Sequence, residues 1–270
     1  MSDVFLLTGC ASGIGRHLTR ALSNLGHQIV ATDINENGLA EAAKQDGWSD
    51  AKVLRRKLDV RDPADWARTL EATLTAYGKL DVLLNIAGYL LPGYSWELDA
   101  TQIDRHLDIN VKGVMHGVSV IGKHFVSKGK GHIINIGSLA SLAPVPGLSL
   151  YSSSKFAVRG FTLAVAQELI PRGVKVSLVM PDAVQTPMLD LQVDYEQAAM
   201  TFSGPRALTV EDIERAIIDE VLPNAPLELP IPFVRGAVAR FATFLPAAAV
   251  SLGPLFTRKG RAEQEKRKKK

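Results

Sequence analysis

The chain has 270 residues, 46% of them hydrophobic and 22% charged, the length and balance of a folded protein with a sizeable core, which excludes disorder, collagen and coiled coil as descriptions of the whole. A lone cysteine, Cys10, excludes an intrachain disulfide and a cysteine-based zinc site, and the six histidines show no tight ligand spacing, so no metal is expected. The net charge of +3 conceals an asymmetry: residues 257–270 carry eight Lys/Arg and two Glu, a net +6, which leaves −3 on the remainder and gives no support for a nucleic-acid partner of the body.

Apolar runs alternate with helical patterns along the chain. Val4–Thr8 reads as a buried strand, 14–25 as a helix stopped by Gly26, 28–32 as a second strand and 36–45 as a short polar helix. The third strand, 53–58, is interrupted by basic residues, as suits a sheet edge. Asp62-Pro63 opens the next helix, and Val82–Asn85 is the fourth strand. Residues 101–128 form one long helix, with Leu107, Val111, Val114, Val118, Ile121 and Phe125 recurring at three- and four-residue steps. Strand 132–136, helix 151–170 and strand 174–180 follow. This alternation predicts an α/β fold: a single doubly wound Rossmann-like domain, its parallel sheet covered by helices on both faces.

The pattern weakens after residue 181. Residues 186–205 read as an irregular lid, 210–222 as a helix capped by Thr209, and prolines 223, 226, 230 and 232 force an extended stretch. The catalytic domain is thus placed at 1–232, followed by an apolar helical extension at 233–256 and a disordered basic tail at 257–270. The N-terminal residues enter a glycine loop with no basic n-region. The longest uncharged stretch, 241–257, is 17 residues long and broken by two prolines, short of the roughly 20 residues that a spanning helix needs. A cytoplasmic location is expected, with association at a membrane surface through residues 233–270.

Residues 8–15, Thr-Gly-Cys-Ala-Ser-Gly-Ile-Gly, join the first strand to the first helix. Gly9, Gly13 and Gly15 allow a pyrophosphate to approach the backbone, and the helix N-terminus offers free N–H groups to an anion. Asp33 ends the second strand, where a carboxylate accepts both ribose hydroxyls of an adenosine and repels a 2′-phosphate. Neither Ser12 nor Ile34 adds a compensating positive charge, so NAD(H) is expected over NADP(H). Tyr151 and Lys155 stand at i and i+4 on a helix, on one side. A free tyrosine ionises near ~10, and a neighbouring ammonium favours the phenolate. Ser138 follows the fifth strand, at the carboxyl edge where open α/β sheets bind ligands. Asn110 is a buried polar candidate on the long helix.

With these motifs in this order, the chain resembles the short-chain dehydrogenase/reductase family, in its NAD-preferring form, over roughly residues 3–222. The resemblance rests on residues 8–15, Asp33, Asp59-Val60, Asn85-Ile-Ala-Gly88, Asn110, Ser138, Tyr151 and Lys155. It implies Tyr151 as general acid/base, Lys155 lowering the phenol's pKa and holding the nicotinamide ribose, Ser138 orienting the substrate oxygen, and Asn110 holding a water in a relay through Lys155. It also implies Asp59 and Val60 beside the adenine, with Asn85, Ala87 and Gly88 along the cofactor. After the sixth strand the family's usual Pro-Gly is Pro181-Asp182 here, with Val184 and Thr186 expected near the carboxamide.

Leu90, Leu139, Val145, Leu148, Met188 and Leu189 are candidates for an apolar substrate pocket, with Leu91, Leu191, Val193, Tyr195, Met200 and Phe202 as further parts of it. That composition favours a lipophilic alcohol or ketone, such as a hydroxysteroid, terpenoid or long-chain alcohol, and hence a place in lipid metabolism. Two alternatives stand beside an NAD-dependent dehydrogenase: an NADPH-dependent ketone or 3-oxoacyl reductase, and a membrane-surface nucleotide-binding scaffold without turnover. The resemblance implies a homodimer or homotetramer through the helices at 101–128 and 151–170.

Overall fold

Hydrophobic side chains occupy consecutive positions in the strand segments, so both faces of the sheet must be covered. In β1 (Val4–Thr8), Phe5 and Leu7 join one core with Leu18 and Leu22, while Val4 and Leu6 join the opposite core with Trp66 and Ile121. Strands β2 (Gln28–Asp33), β3 (Val53–Lys57), β4 (Val82–Asn85), β5 (Gly131–Ile136), β6 (Val174–Pro181) and β7 (Glu228–Ile231) complete a seven-stranded sheet in the order β3-β2-β1-β4-β5-β6-β7. Every pairing is parallel. Residues 2–269 are described in this computed structural model.

Helices α1 (Gly13–Asn24), α2 (Glu36–Asp46) and α3 (Pro63–Tyr77) connect the first four strands. The expected long helix is α4 (Ala100–Leu107) and α5 (Gly113–Lys128), joined by one wide turn over Asp108–Lys112 that contains Asn110. Helix α6 (Ser149–Leu169) leads into β6. The segment expected to be irregular over 186–205 is largely helical: α7 (Pro187–Leu191) and tight turns over Gln192–Asp194 and Glu196–Ser203. Helix α8 (Val210–Arg215) passes through a wide turn into α9 (Leu222–Asn224). The proline-rich stretch after it enters the sheet as β7. Its Pro230 is accommodated because this is an edge strand, paired with β6 alone. The basic third strand lies on the opposite edge.

The C-terminal expectation needs correction. Helices α10 (Phe233–Phe244) and α11 (Pro246–Lys268) follow β7, and the basic tail expected to be disordered is helical through Lys268. Gly253, Gly260 and Gln264 are buried at helical spacing on one side of α11. The Gln264 amide donates to the carbonyls of Gln192 (2.9 Å) and Tyr195 (2.7 Å). At Gly260 an added Cβ would lie 2.0 Å from the Ala199 carbonyl oxygen. The tail is therefore ordered by docking on the 192–203 segment, a tertiary contact that its charge pattern does not reveal. Among the described residues, no helix is long and apolar enough to cross a membrane.

Candidate active site

Order in the sheet reverses between β1 and β4, where successive connections leave in opposite directions and open a crevice at the carboxyl ends. A cleft of about 1710 Å³ occupies this edge. Its floor at one end is the glycine loop. Gly9 has φ +73°, and a Cβ there would come within 3.0 Å of the Ala87 Cα, so only glycine lets the loops after β1 and β4 lie this close. The Thr8 hydroxyl locks the same approach by accepting the N–H groups of Ile86 (2.9 Å) and Ala87 (3.0 Å). Ser12 precedes α1 without capping it through its side chain, so the first amides of the helix remain available to an anion.

Asp33 closes this end. Its carboxylate accepts the Ala11 N–H from the glycine loop and the Asn35 N–H, each at 2.9 Å. Asp59, also on the cleft wall, accepts three hydrogen bonds from the Arg61 side chain, which hold its carboxyl below the usual range. Gly9, Ser12, Gly13, Ile14, Gly15, Asp33, Ile34, Asp59, Val60, Ala87, Gly88, Pro181, Val184 and Thr186 all line the cleft. Asn85 does not. Its side chain is buried and donates to Asn135 Oδ1 at 2.8 Å, tying β4 to β5 instead of facing the cleft. The uncapped amides, the backbone cradle that a Cβ would fill and the acidic rim fit the pyrophosphate and ribose of a dinucleotide.

Tyr151 and Lys155 rise from α6 at the middle of the cleft, the Lys155 Nζ 5.6 Å from the Tyr151 ring centroid. The Tyr151 hydroxyl has Ser138 as its hydrogen-bonding neighbour, and burial pushes the phenol up to about 12. Lys155 Nζ donates to the Ile136 carbonyl at 2.9 Å, and burial brings its pKa down to about 8. With no dinucleotide beside them, burial disfavours the charged form of both groups. Ser138 stands at the end of β5, its hydroxyl accepting the Ala140 N–H at 3.1 Å.

Asn110 is fully buried and its amide makes three hydrogen bonds. It accepts the Tyr89 N–H (2.7 Å) and donates to the Tyr89 carbonyl (2.8 Å) and Ser154 Oγ (2.9 Å). Its side chain braces the loop after β4, with both amide N–H groups used and Oδ1 holding one donor. His106 reinforces the brace: Nδ1 meets the Gln102 carbonyl at 2.8 Å and Nε2 the Leu91 N–H at 3.3 Å. That arrangement requires the neutral ring, which burial favours.

Beyond Tyr151 the cleft becomes apolar. Leu90, Leu148 and Ala198 form a small core with Val145, Tyr151, Met188 and Tyr195 against it. Leu139, Leu189 and Met200 also line the chamber, whereas Leu91, Leu191, Val193, Tyr195 and Phe202 do not. Asp182, in place of the familiar glycine, is directed to Arg235 of α10 with an ion pair of 2.6 Å. Burial pushes its carboxyl up, and the guanidinium opposes this. Sequence reading misses Arg235, Arg61, and Arg105, whose guanidinium lies over the Tyr89 ring at 4.3 Å. It also misses the far wall, which Val238, Phe241, Leu245, Leu252 and Phe256 build from α10 and α11. No short motif marks these residues; the long-range docking of the C-terminal helices brings them there.

A doubly wound parallel sheet, a glycine cradle and a Ser–Tyr–Lys group at its carboxyl edge define a nucleotide-dependent oxidoreductase. The short chain dehydrogenase family profile matches residues 3–196. A 3-alpha-(or 20-beta)-hydroxysteroid dehydrogenase of Mycobacterium tuberculosis is 39% identical over 191 residues, covering 70% of this chain and 72% of its own. A short-chain dehydrogenase/reductase from Burkholderia phymatum in complex with NAD superposes with a TM-score of 0.80 at 26% identity, covering 91% of this chain and 95% of its own. ElxO with NADP bound reaches a TM-score of 0.77 at 25% identity, covering 86% and 97%. The chain belongs to the short-chain dehydrogenase/reductase family and carries that family's nicotinamide-cofactor fold.

Proposed function

We propose that this oxidoreductase transfers a hydride between NAD(H) and a lipophilic secondary alcohol or ketone of hydroxysteroid-like, terpenoid or long-chain type. The observation that carries the reading is the position of Tyr151. It stands where the polar cradle, rimmed by Asp33, meets an apolar chamber formed by Leu90, Val145, Leu148 and Met188. The hydroxysteroid dehydrogenase activity in the name of the mycobacterial relative supports the same substrate class.

A nicotinamide dinucleotide supplies the carbon that takes or gives the hydride. The chain's residues do the rest. Ser138 holds the substrate oxygen beside the Tyr151 hydroxyl, and Tyr151 gives that oxygen a proton in reduction or takes one in oxidation. Lys155, anchored to the Ile136 carbonyl, places a positive charge beside the phenol. Leu139 and Leu189 help exclude water from the reacting centre. Asp33 repels a 2′-phosphate, and Arg61, the nearby cation on the wall, is held by Asp59.

The test is a panel of hydroxysteroids, terpenols and long-chain alcohols assayed with NAD⁺ and NADP⁺. The expected result is turnover of a lipophilic member with NAD⁺ preferred. A clear NADP⁺ preference would overturn the cofactor assignment and favour the ketone or 3-oxoacyl reductase. Tyr151→Phe should reduce turnover by roughly 10²–10⁴-fold, the span of positioned acid–base catalysis, while dinucleotide binding persists. Full activity in that variant would remove the assigned proton transfer.

A further inference from the structure

Half of the large hydrophobic side chains that lie exposed among the described residues fall within 233–256. On α10, Phe233 is 75% exposed, Phe241 65% and Phe244 79%, while Gly236 and Ala239 turn inward. A globular surface rarely leaves such a contiguous apolar strip bare without a partner. Val238, Phe241, Leu245, Val250, Leu252 and Phe256 are at once exposed and part of the cleft wall, so the strip surrounds a mouth of the cleft.

Helix α11 shows what the strip fits. Its buried side is Gly253, Gly260 and Gln264. By helical period the opposite side carries Leu255, Arg258, Lys259 and Lys269, all exposed, together with Lys266, which pairs with Glu263 at 3.0 Å. Apolar residues come first and cations follow, along one outward face. Residues 257–270 carry a net +6 against −3 for the rest of the chain. Arg235 and Arg240 of α10 are consumed by Asp182 and Glu228, so the outward cations reside on α11.

We propose that α10 and α11 form a docking surface for an anionic lipid bilayer. The exposed phenylalanines and leucines enter the boundary of the acyl chains, and Lys259 and its neighbours meet lipid phosphates. The mouth of the cleft then faces the lipid, which gives a membrane-dissolved substrate a route to Tyr151 without crossing water; this route rests on the lipophilic-substrate reading, whereas the docking does not. Charge complementarity selects an anionic bilayer over a second copy of the chain, whose identical +6 segment would be repelled.

The experiment is co-sedimentation of the full chain with phosphatidylcholine vesicles, with and without phosphatidylglycerol, alongside its mass by sedimentation velocity. Binding should require the anionic lipid and weaken with salt. Removing two cations with Lys259→Gln and Lys269→Gln should lower the partition coefficient about 30-fold, at ~1 kcal/mol per basic residue. The Phe233→Ser, Phe244→Ser, Leu255→Ser variant should lose binding at least about tenfold through lost apolar burial. Its mass and its turnover of a water-soluble secondary alcohol should stay unchanged. Equal binding to neutral and anionic vesicles, or none to either, overturns the proposal. So does a fall in oligomeric mass of the triple serine variant, which would assign the strip to a second copy. Vesicle binding is read without turnover, so failure on every lipophilic alcohol would sink the substrate reading and leave the docking result standing.

Discussion

At the scale of single residues, two buried groups of the cleft contribute opposite signs to the pH dependence of stability. Lys155 ionises near about 8 in the folded chain because burial disfavours its ammonium, against an ordinary value of 10.5. Between these values the unfolded chain binds the extra proton, so stability rises with pH across that window. Below about pH 8 both states are charged and the folded state carries the full desolvation cost. Lys155→Met removes this dependence. Its melting temperature is expected to exceed that of the parent at pH 7, with the gap narrowing from pH 8 towards 10.5 and activity lost throughout. A gap independent of pH in thermal melts would contradict the buried-ammonium account. For Tyr151, raised to about 12, the sign reverses: the unfolded phenol ionises first, and stability falls as pH climbs above about 10. On the proposed NAD(H) reading, Asp33 is the residue that selects the cofactor. Asp33→Ala should weaken NAD⁺ binding by roughly ten- to a hundredfold, the value of one or two charge-assisted hydrogen bonds, with NADP⁺ affected far less. Equilibrium titration of both dinucleotides decides it.

At the scale of elements, the 192–203 segment and α11 are one unit. The 192–203 segment is a run of tight helical turns, and its Gln192 and Tyr195 carbonyls are held by Gln264. Arg267 adds a hydrogen bond to Gln185 (2.9 Å) and lies over the Phe202 ring at 5.5 Å. Gly260→Leu cannot be accommodated against the Ala199 carbonyl. It should lift α11 away and speed hydrogen exchange at 192–203 by tenfold or more, while strands β1, β4 and β5 stay protected. Unchanged exchange at 192–203 would mean that the lid stands without the helix. The loop after β4 is braced in the same manner by Asn110 and His106 from one wide-turned helix. In both places a wall of the cleft is fastened by side chains from another element.

At the scale of the whole molecule, ligand linkage offers a direct check on the cofactor. Whatever binds only the folded chain stabilises it by RT ln(1 + [L]/Kd), about 2.7 kcal/mol at a hundredfold excess over Kd. For a domain of this size that corresponds to a melting shift of roughly 5–10 °C. NAD⁺ is expected to give it, and NADP⁺ at equal concentration a smaller one; equal shifts would point away from discrimination by Asp33.

The strand and helix order was legible from β1 to β6 because buried parallel strands are short continuous apolar runs and their helices have one apolar stripe. The glycine loop, Asp33, Ser138, Tyr151 and Lys155 were legible for a similar reason: each lies within one strand-to-helix unit, so spacing along the chain reports proximity in space. The ordering of 257–268, the membership of β7 in the sheet, the Asp182–Arg235 pair and the inward turn of Asn85 were not. Each depends on partners dozens of residues away. Local pattern thus determined the dinucleotide fold and the polar side chains gathered at its carboxyl edge. Only tertiary packing decided what encloses the substrate, because the energy that orders a polar, basic tail as a helix comes from a glycine and a glutamine meeting backbone groups on a distant segment.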